Sequence, residues 1–144
     1  AKDGQGALAI TDLANVFGAV KFYNAARRKG VKPIIGADVW LASDLAGSDK
    51  PPSRLLLLVQ NEAGWRNLCL LLSAAWLTNV QKNLALVSWD VLEAHAAGLI
   101  ALSGADHGAI GQALLVGDAA RAEALAARLA ALFPGRFYVE LQRG

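Results

Sequence analysis

The sequence predicts an α/β fold in which short apolar strands alternate with helices. Apolar runs of strand length recur at residues 7–10, within 31–41, and at 55–59, 99–102 and 137–141. Between most of them lie stretches whose apolar residues repeat at helical spacing and start at capping side chains. The chain has 144 residues, 55% of them hydrophobic and 18% charged, which is enough for one domain with a real core. Short strands alternating with helices imply βαβ units and a parallel sheet.

Ala7-Leu8-Ala9-Ile10 reads as a buried strand. Helix character follows over 16–29, with Val16, Phe17, Val20 and Tyr23 or Asn24 on neighbouring turns. That helix ends in Arg27-Arg28-Lys29-Gly30: cations against the carbonyl end of the helix dipole, then glycine to turn out of it. The next strand lies within 31–41. A polar loop over 43–53 carries Gly47 and Pro51-Pro52, and 55–59 is a third strand. Asn61 caps a helix to about Leu77, whose apolar face is Trp65, Leu68, Leu72, Ala75 and Trp76. Ser88 caps a shorter helix that carries Asp90 and Glu93 in its first turns and stops at Gly98. After the strand at 99–102, residues 107–115 look helical. Asp118 then caps a helix to Leu132 built on Ala122, Leu125, Ala126, Leu129 and Leu132; Phe133-Pro134-Gly135 stops it, and 137–141 is the last strand.

Composition excludes several functions. Mean hydropathy is +0.35, yet the longest apolar runs, 55–59 and 68–72, fall far short of the roughly 20 residues that span a bilayer. No basic-then-apolar secretion signal opens the chain. The absence of Met and the apolar surplus point to a segment of a longer polypeptide. The lone Cys69 excludes an internal disulfide and a Cys-rich zinc site; inside Leu68-Cys69-Leu70-Leu71-Leu72 it reads as a buried packing thiol in a cytosolic protein. A net charge of +2 is too mild to argue for nucleic-acid binding by itself. The basic cluster Lys21, Arg27, Arg28, Lys29 and Lys32 reads as the solvated dressing of a helix, with contact to DNA or to another protein as the sharper reading. Trp40, Trp65, Trp76 and Trp89 read as core or interface anchors, since basic residues interleave with few of them.

In α/β folds the ligand site lies at the carboxyl ends of the strands. Those ends are Thr11-Asp12, Gly36-Ala37-Asp38, Ser103-Gly104-Ala105-Asp106 and Glu140-Leu141-Gln142. The recurring carboxylates suit a metal or phosphate-ester site, or they cap the following helices; pattern alone favours the caps.

Five segments carry a resemblance. Leu8 to Gly18, reading LAITDLANVFG, resembles a family segment Leu-Thr-Asp-His-Gly-Asn-x-x-Gly, and Lys32-Pro33-Ile34-Ile35-Gly36-Ala37-Asp38 resembles Lys-Pro-Ile-x-Gly-x-Glu. The run 55–58 with Asn61, Gly64, Trp65, Asn67 and Leu68 is similar to Leu-Leu-x-x-Asn-x-x-Gly-Tyr-x-Asn-Leu. Gly98 to Gly104 and Tyr138 to Gln142 complete the set, in the same order and at fitting spacings. Together they resemble the polymerase-and-histidinol-phosphatase (PHP) domain at the start of bacterial polymerase III α subunits, over essentially the whole chain.

The resemblance implies a PHP-type (β/α) barrel, present as an incomplete set of βα units, with residues 1–144 as a single fragment of the domain. It implies a parent polypeptide that copies DNA in the cytoplasm, using magnesium at polymerase carboxylates outside this chain. This segment would pack against the rest of the α subunit and could dock the separate proofreading exonuclease subunit, reaching DNA only through the parent.

Active family members hold a Zn/Mn-type metal cluster on His, Asp, Glu and Cys ligands at strand ends. By resemblance the ligand positions here are Leu13, Asp38, Arg54 and Ala105, with Asp12 adjacent. Leu13, Arg54 and Ala105 carry no metal donor, and Asp38 is a methylene shorter than the family's Glu. The resemblance thus implies an eroded site with no catalytic residues and no metal. Its rival is a working metal-dependent phosphoesterase or 3′–5′ proofreading exonuclease, and a third reading is a plain βα interaction module. Arg54 is expected to pair with Asp12 or Asp38 and replace the lost cations with its own charge. His95, near a helix end, and His107, beside Asp106, are the candidate compensating ligands; neither is expected to serve.

Overall fold

A computed structural model of the chain describes residues 3–44 and 50–142. Among these the elements run β1 (Ala7–Leu13), α1 (Ala19–Arg28), β2 (Lys32–Leu41), β3 (Ser53–Val59), α2 (Glu62–Thr78), β4 (Val80–Gln81), β5 (Leu84–Val87), α3 (Trp89–Ala94) and β6 (Leu99–Leu102). A 3-10 turn at Ala105–His107 leads to α4 (Ala109–Leu115), α5 (Ala119–Leu132) and β7 (Phe137–Tyr138). The caps expected from sequence are in place: Asn61, Ser88 and Asp118 accept from the backbone N–H of Gly64, Val91 and Arg121, three residues on in each case. Gly47 of the polar loop lies outside the described residues.

The strands form one open sheet in the order β4-β5-β2-β3-β6-β7, with β1 beside β2. β1 and β5 share one edge of β2: β1 runs along Lys32 to Asp38, and β5 takes over at Trp40 and Leu41. The sheet is mixed, which corrects the expectation of a parallel one. β1 and β5 are parallel to β2 and β7 is parallel to β6, but β3 runs antiparallel to both β2 and β6. The physical reason lies in the connection over 42–52: a parallel crossover needs about a dozen residues or more, usually helical, and this stretch is short, polar and carries Pro51-Pro52. The sheet does not close into a barrel among the described residues, where β4, β7 and β1 each have a strand neighbour on one side alone.

Three further differences from the sequence reading have local causes. α1 begins at Ala19, because Asn15 turns the chain before it by accepting from Phe17 N and donating to the Leu13 carbonyl. β1 is exposed over its first three residues, since only β2 flanks it. The β4–β5 hairpin had no reading from sequence; its turn, Lys82-Asn83, has φ of 49° and 65°, the paired left-handed geometry that matches strand twist.

Pleating divides the sheet into two faces. Ala37, Val39, Leu41, Leu55, Leu57, Leu99 and Ala101 are buried in one core with Leu68, Leu71, Leu72 and Ala75 of α2, and with Leu92, Leu125, Leu129 and Phe133. The alternate residues of β2, β3 and β6, including Asp38, Trp40, Arg54, Leu56, Leu58 and Leu102, face the other way and are half-buried. That second face carries the candidate site.

Candidate functional site

Strand register decides which predicted residues can meet. Leu13 lies directly opposite Asp38 across β1–β2, so the two share a face. Asp12 pairs with Ala37 and therefore points to the opposite face. Asp12 and Asp38 do not converge. Instead Asp12 Oδ2 accepts from Gly18 N at 3.1 Å, tying the start of α1 to the end of β1. Gly18 has no side chain to cap that helix, and Asp12 does it from six residues upstream. Of the two readings of the strand-end carboxylates, Asp12 follows the capping one.

Asp38 takes a different partner. It stands opposite Leu56 on β3, and Arg54, two residues along the same face, is its diagonal neighbour. Arg54 Nη2 donates to Asp38 Oδ2, forming an ion pair whose side chains are only 25% and 21% exposed. The guanidinium carbon also stands 4.7 Å from the ring centroid of Trp40, the residue opposite Arg54 in register. The hydrogen bond to Asp38 raises the Arg54 pKa above its ordinary value against the opposing effect of burial, so the group is a fixed cation. Asp38 Oδ1 and Arg54 Nε are buried with no hydrogen-bond partner among the described residues. Trp40 was missed as a member of this cluster. Its signal was available, for in a strand the residue two beyond Asp38 shares its face.

Ala105 sits on the 3-10 turn after β6, with φ of 48° directly after Gly104 at 75°. These two left-handed residues fold the loop back on β3: Gly108 bridges Arg54, and a Cβ on Gly104 would press on the Arg54 carbonyl. The loop therefore braces the strand that aims Arg54. Asp106 and His107 are largely exposed, 3.8 Å apart, on the outside of the turn. His95 ends α3, with Nδ1 3.4 Å from Asn67 Oδ1. Glu140 accepts from Gln142 Nε2, and its backbone N–H donates to Ser103 Oγ. Among the described residues no three His, Cys, Asp or Glu side chains are grouped as a metal ion requires. Chemically the cluster is a guanidinium held on a carboxylate by one N–H and stacked on an indole.

Comparison with known proteins agrees with the resemblance. The family model described as PHP domain matches residues 1–144. A DNA polymerase III subunit alpha from Pseudomonas aeruginosa is 48% identical over 140 residues, covering 97% of this chain. Proteins of the same name from Neisseria meningitidis serogroup A and Escherichia coli K12 are 45% and 39% identical, again over 97% of the chain. The chain spans about 12% of the length of each of these relatives. Among the described residues no helix is long and apolar enough to cross a membrane.

Proposed function

The chain belongs to the PHP domain family, and from that premise we propose that it is part of the N-terminal PHP domain of a bacterial replicative DNA polymerase, the polymerase III α subunit. In this reading residues 1–144 are a fragment of one domain that serves replication in the cytoplasm as a structural and docking element. The identity of 39–48% to proteins named DNA polymerase III subunit alpha supports the parent assignment.

The observation that carries the structural role is the guanidinium of Arg54 on the carboxylate of Asp38. In the family a metal cluster, when bound, supplies an activated hydroxide and clamps phosphate oxygens. The residues here do not fit such a cluster. Leu13 and Ala105 have no donor atoms, Arg54 brings positive charge, and Asp12 turns to the other face of the sheet. Arg54 instead neutralises Asp38 and closes the face with Trp40. The domain would pack against the rest of the α subunit, dock the proofreading exonuclease subunit, and meet DNA only through the parent polymerase. Metal analysis after incubation with zinc or manganese tests the reading, together with phosphatase and 3′–5′ exonuclease assays. Neither stoichiometric metal nor turnover is expected. Metal held by Asp12, Asp38 or Asp106, or a metal-dependent activity lost in Asp38→Ala, would overturn it.

A further inference from the structure

A long apolar groove runs along α2 on the side facing α1. Two cavities lie end to end in it, of about 600 Å³ and 350 Å³. Val20, Tyr23 and Trp65 line the first; Phe17, Trp76 and Leu77 line the second. The α2 residues in the two linings, from Glu62 through Trp65, Cys69 and Leu72 to Trp76, make one helical stripe. Its 17 residues give the groove a length of about 25 Å. The walls are open to solvent: Phe17 is 90% exposed, Leu77 83% and Val20 71%. Isolated apolar residues on a surface need no explanation, but a contiguous groove of them is what a binding face looks like.

Charge says what fits. Lys21, Arg27, Arg28, Lys29 and Lys32 are exposed on the α1 side, and none forms an ion pair among the described residues. No carboxylate occurs anywhere from Leu13 to Ala37. Arg27 stands one helical turn from Tyr23 on α1, so a cation borders the apolar wall there. The α2 rim has no such excess, because Glu62 and Arg66 pair with each other at 2.7 Å. We infer that the groove receives an amphipathic helix of another protein, its apolar stripe between α1 and α2 and acidic residues along the edge that meets α1. A nucleic acid fits less well. The floor offers apolar side chains where a backbone-tracking groove is basic, and Glu62 would repel phosphate. A second copy in a two-fold pair would set the same cations against themselves. The inference deepens the docking role proposed above by giving its place and the chemistry of its occupant.

The test uses the full-length polypeptide that carries this segment. The probe is a fluorescein-labelled helical peptide of about 17 residues, with leucines at helical spacing and glutamates elsewhere, matched to the groove length. Saturable binding that weakens with salt is expected, about tenfold weaker in Phe17→Asp and in Leu77→Asp and weaker still in Arg27→Glu/Arg28→Glu. The substituted side chains are exposed in this chain, and an unchanged melting temperature of each full-length variant serves as the folding control. The groove assignment is overturned by no binding, by equal binding of a lysine-for-glutamate peptide, or by indifference to the variants. Oligo-dT binding that the three variants weaken, or self-association that Phe17→Asp abolishes, overturns it equally. Binding of the exonuclease subunit is scored separately: if it persists unchanged in all three variants, the groove is wrong and docking stands; if the parent protein does not bind it, that docking role fails whatever the peptide does.

Discussion

At the scale of single residues, the Arg54–Asp38 pair is sensitive to the loss of either partner. A carboxylate about four-fifths buried that loses its cation keeps its desolvation cost without repayment. Arg54→Ala is therefore expected to destabilise the chain by about 2–3 kcal/mol, measured by urea unfolding. The double replacement Asp38→Leu/Arg54→Met should recover most of that loss, because an apolar pair of similar volume pays no desolvation. A double variant as unstable as Arg54→Ala would mean that the pair acts through shape, not charge. Cys69 supplies a pH dependence. It is half-buried, not fully buried as its leucine neighbours suggest, and burial raises its thiol pKa. A thiol with a raised folded pKa stays protonated while the unfolded chain's thiol ionises. Its contribution to stability is thus full below the ordinary thiol pKa and is lost as pH rises through the folded one. Alkylation of Cys69 at mildly alkaline pH should be slower than that of the unfolded chain, with Cys69→Ala removing the signal.

Among the elements, the junction of α2 with the turn before β6 is closely packed. Asn61 Oδ1 accepts from Gly64 N at 3.0 Å, Gln60 N donates to the Gly98 carbonyl at 2.9 Å, and Asn67 Nδ2 donates to the Ala97 carbonyl at 2.8 Å. A Cβ on Gly64 would run into the Gly98 carbonyl, and Gly98 itself has φ of 73°. This explains why a motif with Asn, two free positions and Gly stands after a leucine-rich strand: the Asn caps, and the Gly lets the turn touch the helix. Asn61→Ala should cost about 1 kcal/mol as a lost cap. Gly64→Ala should cost more, about 2–3 kcal/mol, as an overpacked contact between two backbones. Thermal denaturation of the two variants checks the order. At the other extreme stand β1 and α1. β1 has no buried residue, and those of α1, Ala19 and Ala26, are small and lie outside the main core cluster. Amide hydrogen exchange should therefore be faster in α1 than in α2 or α5, although all three are regular helices.

For the whole molecule, one contiguous core joins β2, β3, β5 and β6 to α2, α3, α4 and α5. A single core predicts a single transition, so tryptophan fluorescence and circular dichroism should report coincident unfolding in urea. Separated transitions would mean that β1–α1 unfolds as its own unit. The open sheet has one face under α2 and one half-buried face bearing Leu56, Leu58, Leu102 and the Arg54 cluster. On that second face a charged pair is tolerated because each charge meets the other and the cation also stacks on an indole.

Local signals alone determined much of this protein. Periodicity and capping residues located most of its helices and strands, and five ordered motifs located its family. They did so because propensity, caps and strand ends act within a few residues of chain. That Leu13, Arg54 and Ala105 carry no side-chain metal donor was legible too, since side-chain chemistry does not depend on where the fold places it. Only the tertiary structure decided the rest. The direction of β3 followed from a connection too short for a crossover, which turned an expected parallel sheet into a mixed one. The partner of Arg54 was decided by register: one residue along β1 separates Leu13, beside Asp38, from Asp12, on the far face. Pairing across strands joins residues distant in sequence, and no pattern within one strand records which face of its neighbour it will meet.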